Sequence, residues 1–242
     1  MNENIFTLPN KLTFIRIFIS IIATGFIISG NLLLLYIAII LIAYSELTDI
    51  IDGYIARRDS CVTNIGKLLD PLSDSISRFM YFFAFGFQGL FPIWLVLVLF
   101  IRDIIVAYIR TYMSLQGIAM GARLSGKIKA LVQFIGQYLL LFMLAIILLN
   151  QGNNISETFI LVLIFIGSMS AFFFFKFIKL EGKYLFFSIL GYLAFLIPTY
   201  MINKIDMQME INYPIYVMLI VVSVTLWSLW DYISGLLIAI KN

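Results

Sequence analysis

Four aspartates stand in two pairs, Asp49 with Asp52 and Asp70 with Asp74. The first pair is spaced i, i+3 and the second i, i+4, so on helices each pair shares one face. A short basic loop separates the pairs. Two antiparallel helices joined by that loop would therefore turn the two faces toward each other at about one depth. Four carboxylates converging in a low-dielectric site cannot all stay charged without a counter-charge. A divalent cation supplies it, and an all-oxygen ligand set favours magnesium, manganese or calcium. Two ions bridged by one carboxylate would suit phosphoryl displacement. The chain has no histidine and a single cysteine, Cys61. His-based triads, His metal ligands, a cysteine zinc site and an internal disulfide are excluded. Any general base for a hydroxyl nucleophile must come from carboxylates, hydroxyls or lysine, and a carboxylate held near metals is the natural candidate. Spacing alone does not separate the roles of the four acids.

The elements that carry these residues read as membrane helices. Of 242 residues, 62% are hydrophobic and 12% charged, with a mean hydropathy of +1.04. Soluble domains have roughly a quarter of their residues charged, and several apolar runs here approach the ~20 residues of a spanning helix. The reading is all-α, with eight spanning helices near 12–30, 33–57, 67–89, 92–115, 127–149, 156–176, 183–202 and 213–240. Breakers mark the joints: Gly30-Asn31, the polar stretch 58–64, Gly89 with Pro92, the Gly117–Gly126 segment and Gln151-Gly152-Asn153-Asn154. With no long linker, residues 1–242 form one membrane domain. The first apolar run is preceded by Glu3 and followed by no small-residue cleavage site, so it is expected to be a retained helix. With the N-terminus in the cytoplasm, twelve basic residues fall in inside loops and only Lys204 outside, as the positive-inside rule requires. A net charge of +3 is too small to imply nucleic-acid binding.

Small residues are registered with the acids. Gly53 follows Asp52, Ala56 lies one turn on, and Gly66 lies one turn before Asp70. They leave room for a bulky headgroup, although small residues also serve simple helix packing. The whole run, Asp49-Ile-Ile-Asp52-Gly53-Tyr-Ile-Ala56-Arg57, then Gly66, Asp70 and Asp74, resembles the signature of the CDP-alcohol phosphatidyltransferases in residue type and spacing. That resemblance implies a six-helix core, a homodimer, an active site open to the cytoplasm in the inner membrane, and CDP-diacylglycerol as donor. It implies magnesium or manganese, as two ions, on Asp49, Asp52, Asp70 and Asp74, with Asp70 bridging and Asp74 acting as general base. Asp49, Gly53, Ala56, Arg57 and Gly66 would lie near the nucleotide and pyrophosphate. Residues 156–202 would be an extra helical hairpin between the fifth and sixth family helices, in contact with lipid or another subunit.

The acceptor is read from cations. Arg102 and Arg110 are intramembrane cations on one helix, and Arg123, Lys127 and Lys129 add charge at the same level. Arg matches phosphate in bidentate fashion, so the five suit glycerol 3-phosphate or inositol phosphate better than serine or choline. Alternatively, Arg102 and Arg110 pair with Asp103, Asp231 or the aspartate cluster, and the loop cations are ordinary positive-inside residues. Leu8-Pro9-Asn10-Lys11-Leu12-Thr13, Arg102-Asp103, Gly126-Lys127-Ile128-Lys129 with Gln133, and Trp227-Ser228-Leu229-Trp230-Asp231-Tyr232 resemble the bacterial phosphatidylglycerophosphate synthase branch of the family. That resemblance implies glycerol 3-phosphate as acceptor, with phosphatidylglycerophosphate and CMP as products. The chain departs from the branch after the fourth aspartate, where Ser75 replaces the usual lysine and Arg78 follows one turn on. From other classes, a proton- or ion-conducting transporter would need inverted repeats or broken midplane helices, and the acids here lie at the cytoplasmic edge. A structural protein would use the acids only to pair with Arg57, Arg58 and Arg78.

Overall fold

The computed structural model describes residues 7–58, 64–118, 123–152 and 212–241, and those residues are helical or in short connections. Six helices are seen: α1 (Leu8–Ile28), α2 (Leu32–Arg58), α3 (Asn64–Phe87), α4 (Trp94–Leu115), α5 (Leu124–Gly152) and α6 (Asn212–Lys241). They match six of the eight expected helices within a few residues. The hairpin expected at 156–202 lies outside the described residues, as do Cys61 and Lys204.

Local chemistry explains the boundaries. α1 opens on Leu8-Pro9 behind an extended Thr7, where proline's missing N–H costs nothing. Asn31 caps α2, its Oδ1 accepting from the Leu33 and Leu34 N–H groups at 2.9 and 3.2 Å. The connections after α3 and α4 share one device. Leu90 N–H donates to the Phe85 carbonyl, and Ile118 N–H to Met113, each across a glycine of positive φ, Gly89 at 77° and Gly117 at 73°. A side chain at those positions would be strained, whereas glycine closes the last turn freely. The expected breaker segment 117–126 is shorter than its sequence implies. Gly117 ends α4, but Gly126 lies inside α5, where a Cβ would meet the Tyr232 hydroxyl at 3.0 Å.

Among the described residues, three helices are long and apolar enough to cross a membrane: Asn10–Ile28, Leu124–Leu148 and Tyr213–Ile240, with Leu32–Glu46 a shorter apolar helix. α3 and α4 fall short on composition because each carries charges in its length, Asp70, Asp74 and Arg78 on one, Arg102, Asp103 and Arg110 on the other.

The chain divides into two units. In the first, α1 packs against α2, and Ala23, Ile27, Leu35, Ala38 and Ile42 on these helices are at most 1% exposed. The first part of α3, to Ser73, belongs with this pair. The second unit takes α3 from Asp74, α4, α5 to Leu144, and α6. There α4 packs on α6, with Val106, Ile109, Met113 and Tyr232 buried together.

Candidate functional site

Of the four signature acids, α2 carries Asp49 and Asp52 and α3 carries Asp70 and Asp74. The side chains of Asp49, Asp52, Gly53, Ala56 and Arg57 lie outside the described residues. Asp70 and Asp74 stand one turn apart on an unbroken helix. Pro71 lies between them, and with no N–H it leaves the carbonyl of residue 67 without its helical donor. Asp70 is exposed, and its Oδ1 accepts from the Thr13 hydroxyl at 3.1 Å. The buried Ser73 hydroxyl donates to the Thr13 carbonyl at 3.4 Å. Two polar contacts therefore tie the start of α1 to the first half of α3, beside the acid. Gly66, one turn before Asp70, is buried.

Asp74 is half-buried, and Arg78 Nη2 approaches its Oδ2 at 3.8 Å. Among the described residues no three His, Cys, Asp or Glu side chains gather as metal ligands. The donor chemistry nevertheless suits a hard divalent ion: carboxylates on successive turns, with a hydroxyl on one of them, are all oxygen.

The second unit holds a different kind of polar cluster. Asp103 is 13% exposed and surrounded by donors. Arg102 Nη1 donates to it at 2.9 Å, Lys129 Nζ at 2.6 and 2.9 Å, and Ser75 Oγ at 3.2 Å. Arg102 also donates to the buried Ser228 hydroxyl at 2.6 Å. Arg123 donates to the Asp231 carboxylate at 2.8 Å and to the Asp231 carbonyl at 2.5 Å, and the Ser125 hydroxyl donates to the same carboxylate at 2.5 Å.

Tyr232 joins these groups. Its ring lies 5.5, 5.3 and 5.8 Å from the guanidinium carbons of Arg102, Arg110 and Arg123, within cation–π range. Its hydroxyl accepts from Arg110 Nη2 at 2.7 Å and from the Arg123 N–H at 3.3 Å. A Cβ at Gly235, one turn further, would collide with the Arg123 guanidinium, so glycine there makes room for the cation.

The structure therefore brings together four of the five expected acceptor cations: Arg102, Arg110, Arg123 and Lys129. Lys127 points outward and is exposed. Three of the four meet carboxylates, Arg102 and Lys129 at Asp103 and Arg123 at Asp231. Arg110 has no carboxylate partner among the described residues. Among the described residues these four cations meet two carboxylates, a surplus of two positive charges.

Tyr232, Ser75, Ser125 and Ser228 are the partners that a search for charged residues passes over. The signal for Tyr232 was the acid beside it. Asp231 near the end of an otherwise apolar helix marks a place where that helix faces charge.

Comparison with known proteins agrees with the signature. A family model for CDP-alcohol phosphatidyltransferases matches residues 6–169. The CDP-diacylglycerol–glycerol-3-phosphate 3-phosphatidyltransferase of Bacillus subtilis is 33% identical over 142 residues, 54% of this chain and 74% of that protein. The protein of the same name in Mycoplasma genitalium is 32% identical over 90 residues, 37% of this chain and 38% of its own. A probable CMP-forming cardiolipin synthase of Drosophila melanogaster is 32% identical over 117 residues, 47% of this chain and 35% of its own. The matches thus span three quarters of the Bacillus protein and little over a third of the other two.

Proposed function

The chain belongs to the CDP-alcohol phosphatidyltransferase family, and on that premise we propose that it transfers the phosphatidyl group of CDP-diacylglycerol to glycerol 3-phosphate. The products are phosphatidylglycerophosphate and CMP. The acceptor's hydroxyl oxygen attacks the phosphorus that carries the diacylglycerol. A new P–O bond forms as the bond from that phosphorus to the CMP oxygen breaks, and the hydroxyl proton passes to a carboxylate. Asp74 is that base. Held on Asp49, Asp52, Asp70 and Asp74, two magnesium or manganese ions would offset the charge that develops on departing CMP. Gly53, Ala56, Arg57 and Gly66 flank the nucleotide and pyrophosphate, and Thr13 orients Asp70.

The observation that carries the choice of acceptor is the charge surplus around Tyr232. Among the described residues, Arg102, Arg110, Arg123 and Lys129 outnumber the carboxylates they meet, Asp103 and Asp231, by two, the charge of a phosphate monoester. A neutral alcohol such as serine zwitterion or inositol would leave that surplus unanswered, and choline would add to it. Arg110, with only a phenol and a ring face as described partners, is the cation most available to the phosphate, and Lys127 stands outside as a steering charge. Three helices among the described residues are long and apolar enough to span, which supports a membrane location. The reading adds a single domain over residues 1–242 with an extra hairpin at 156–202. It also adds a homodimer in the inner membrane with the site open to the cytoplasm, as the basic-residue distribution supports.

The test is CMP release by purified protein in detergent with CDP-diacylglycerol and Mg²⁺ or Mn²⁺. Glycerol 3-phosphate, phosphatidylglycerol, inositol phosphate, inositol, serine and choline are supplied in parallel. Release that depends on glycerol 3-phosphate and disappears in Asp74→Asn supports the whole reading. Release with a different alcohol keeps the reaction class and overturns the acceptor. Absence of release with every acceptor, from folded and metal-loaded protein, overturns both.

A further inference from the structure

A small cavity in the second unit lies between α3, α4 and α5. Its polar lining is Ser75, Arg78, Asp103 and Gln133, and Phe79 and Phe100 form an apolar wall. The two rings are packed at 4.7 Å between centroids, which fixes that wall. The space is about that of one water, so it can take a hydroxyl group but not a ring or a phosphate. Its position is informative. Arg78 lines it and also approaches Asp74 at 3.8 Å, and Ser75 is the residue next to Asp74. The cavity is thus the neighbour of the proposed base.

Three of its polar groups are already engaged. Ser75 donates to Asp103, Asp103 also receives Arg102 and Lys129, and Arg78 approaches Asp74. Gln133 is different. It is 1% exposed, and its Oε1 has no hydrogen-bond partner among the described residues. The orientation of the amide follows from its neighbour. Thr225 donates its hydroxyl proton to the Val221 carbonyl at 2.7 Å, so toward Gln133 it can only accept. Gln133 must therefore present its NH₂ to Thr225, at 3.4 Å, and Oε1 is left as a buried acceptor. A buried carbonyl oxygen without a donor is costly, and native interiors rarely tolerate one without a reason.

We propose that Gln133 is a specificity-determining residue, whose Oε1 accepts a hydrogen bond from the acceptor's second, non-reacting hydroxyl docked in the cavity beside Asp74. The inference rests on the glycerol 3-phosphate reading and deepens it. One hydroxyl is the nucleophile at Asp74, the phosphate meets the cations, and the middle hydroxyl enters the cavity. Ser75 makes this docking available, because a long side chain at that position would fill the space next to Asp103.

The test compares two acceptors on the full chain in detergent with CDP-diacylglycerol and Mg²⁺. Glycerol 3-phosphate is set against 3-hydroxypropyl phosphate, which keeps the phosphate and the reacting hydroxyl but lacks the middle one. A buried group that must find its partner discriminates strongly against an analogue without it. The wild-type chain is expected to favour glycerol 3-phosphate by roughly 10- to 100-fold in kcat/KM. Gln133→Leu is expected to bring that ratio to within about threefold of unity by losing glycerol 3-phosphate turnover while sparing the analogue. Gln133→Glu, which keeps an acceptor oxygen of the same reach, should retain a preference for glycerol 3-phosphate. If Gln133→Leu slows both acceptors equally, or if the wild-type chain does not discriminate, the proposal fails while the proposed reaction stands. If the wild-type chain uses neither acceptor, the underlying reading fails first, and the inference with it. A Gln133→Leu chain that does not fold leaves the Ser75→Leu chain to decide. It should fill the cavity and lower the same ratio, and an unchanged ratio overturns the proposal.

Discussion

Two sets of carboxylates in this chain stand in opposite conditions. Asp103 is 13% exposed and receives Arg102, Lys129 and Ser75. Asp231 receives Arg123 and Ser125. The acids on α3 are more open: Asp70 is exposed with a hydroxyl on one oxygen, and Asp74 is 39% exposed with Arg78 at 3.8 Å. The first set spends its lone pairs on the protein. The second lies nearer the surface, where a metal or a substrate proton could reach it. In a membrane chain every charge is expensive, and under the proposed function the difference separates acids paired with cations from acids offered to ligands. Helical placement alone does not separate them, since all four lie within long helices.

The strongest way to break the contrast is to neutralise one acid from each set. Asp70→Asn and Asp74→Asn are expected to lower kcat by about 10³-fold or more, through lost metal binding and lost proton acceptance. Their melting temperature in detergent should stay within a few degrees of the parent's. Asp103→Asn should do the reverse. It leaves Arg102 and Lys129 buried with no carboxylate, and breaking such a pair costs about 3–5 kcal/mol. A clear fall in melting temperature is expected even in the absence of substrate. If Asp70→Asn melts early and Asp103→Asn melts normally, the division of roles is wrong.

A smaller effect tests the hub. Tyr232→Phe keeps the ring under Arg102, Arg110 and Arg123 but removes the hydroxyl that takes Arg110 and the Arg123 N–H. Loss of one such buried hydrogen bond costs on the order of 1 kcal/mol. Because Arg110 is the cation with no carboxylate among the described residues, the expected readout is a severalfold higher KM for glycerol 3-phosphate with little change in kcat. An unchanged KM would show that Tyr232 only packs α4 against α6.

The sequence made some of this legible and hid the rest for physical reasons. Periodicity and breakers located the six described helices, because Asn31, Gly89 and Gly117 are turn chemistry that acts over three or four residues. The signature placed Asp70 and Asp74 on one helix, again a local relation. The basic residues stand out as a group because charge within an apolar helix is conspicuous. Arg102 with Asp103 is a pairing the sequence offers, whereas Arg102 meets Ser228 and Arg110 meets Tyr232 across more than a hundred residues. The pairing of Lys129 with Asp103, and the idle oxygen of Gln133, depend on how α3, α4 and α5 pack. Gln133 is a neutral amide in a helix, and nothing in its neighbours' identities says which of its atoms lacks a partner.

The last comparison is between two lysines two residues apart on α5. Lys129 is buried and bonded to Asp103, whereas Lys127 lies on the outer face. Removing Lys129 leaves Asp103 with fewer donors and should cost stability as well as activity. Removing Lys127 takes away only a screened charge. An exposed cation acts on an approaching dianion over a Debye length of about 8 Å at physiological salt. Lys127→Ala should therefore raise the KM for glycerol 3-phosphate by roughly two- to threefold at low ionic strength, with kcat unchanged, and the difference should vanish at about 0.5 M salt. A ten-fold effect that survives high salt would mean direct contact with the phosphate. Lys127 would then join the phosphate-holding cations, and steering would no longer be its role.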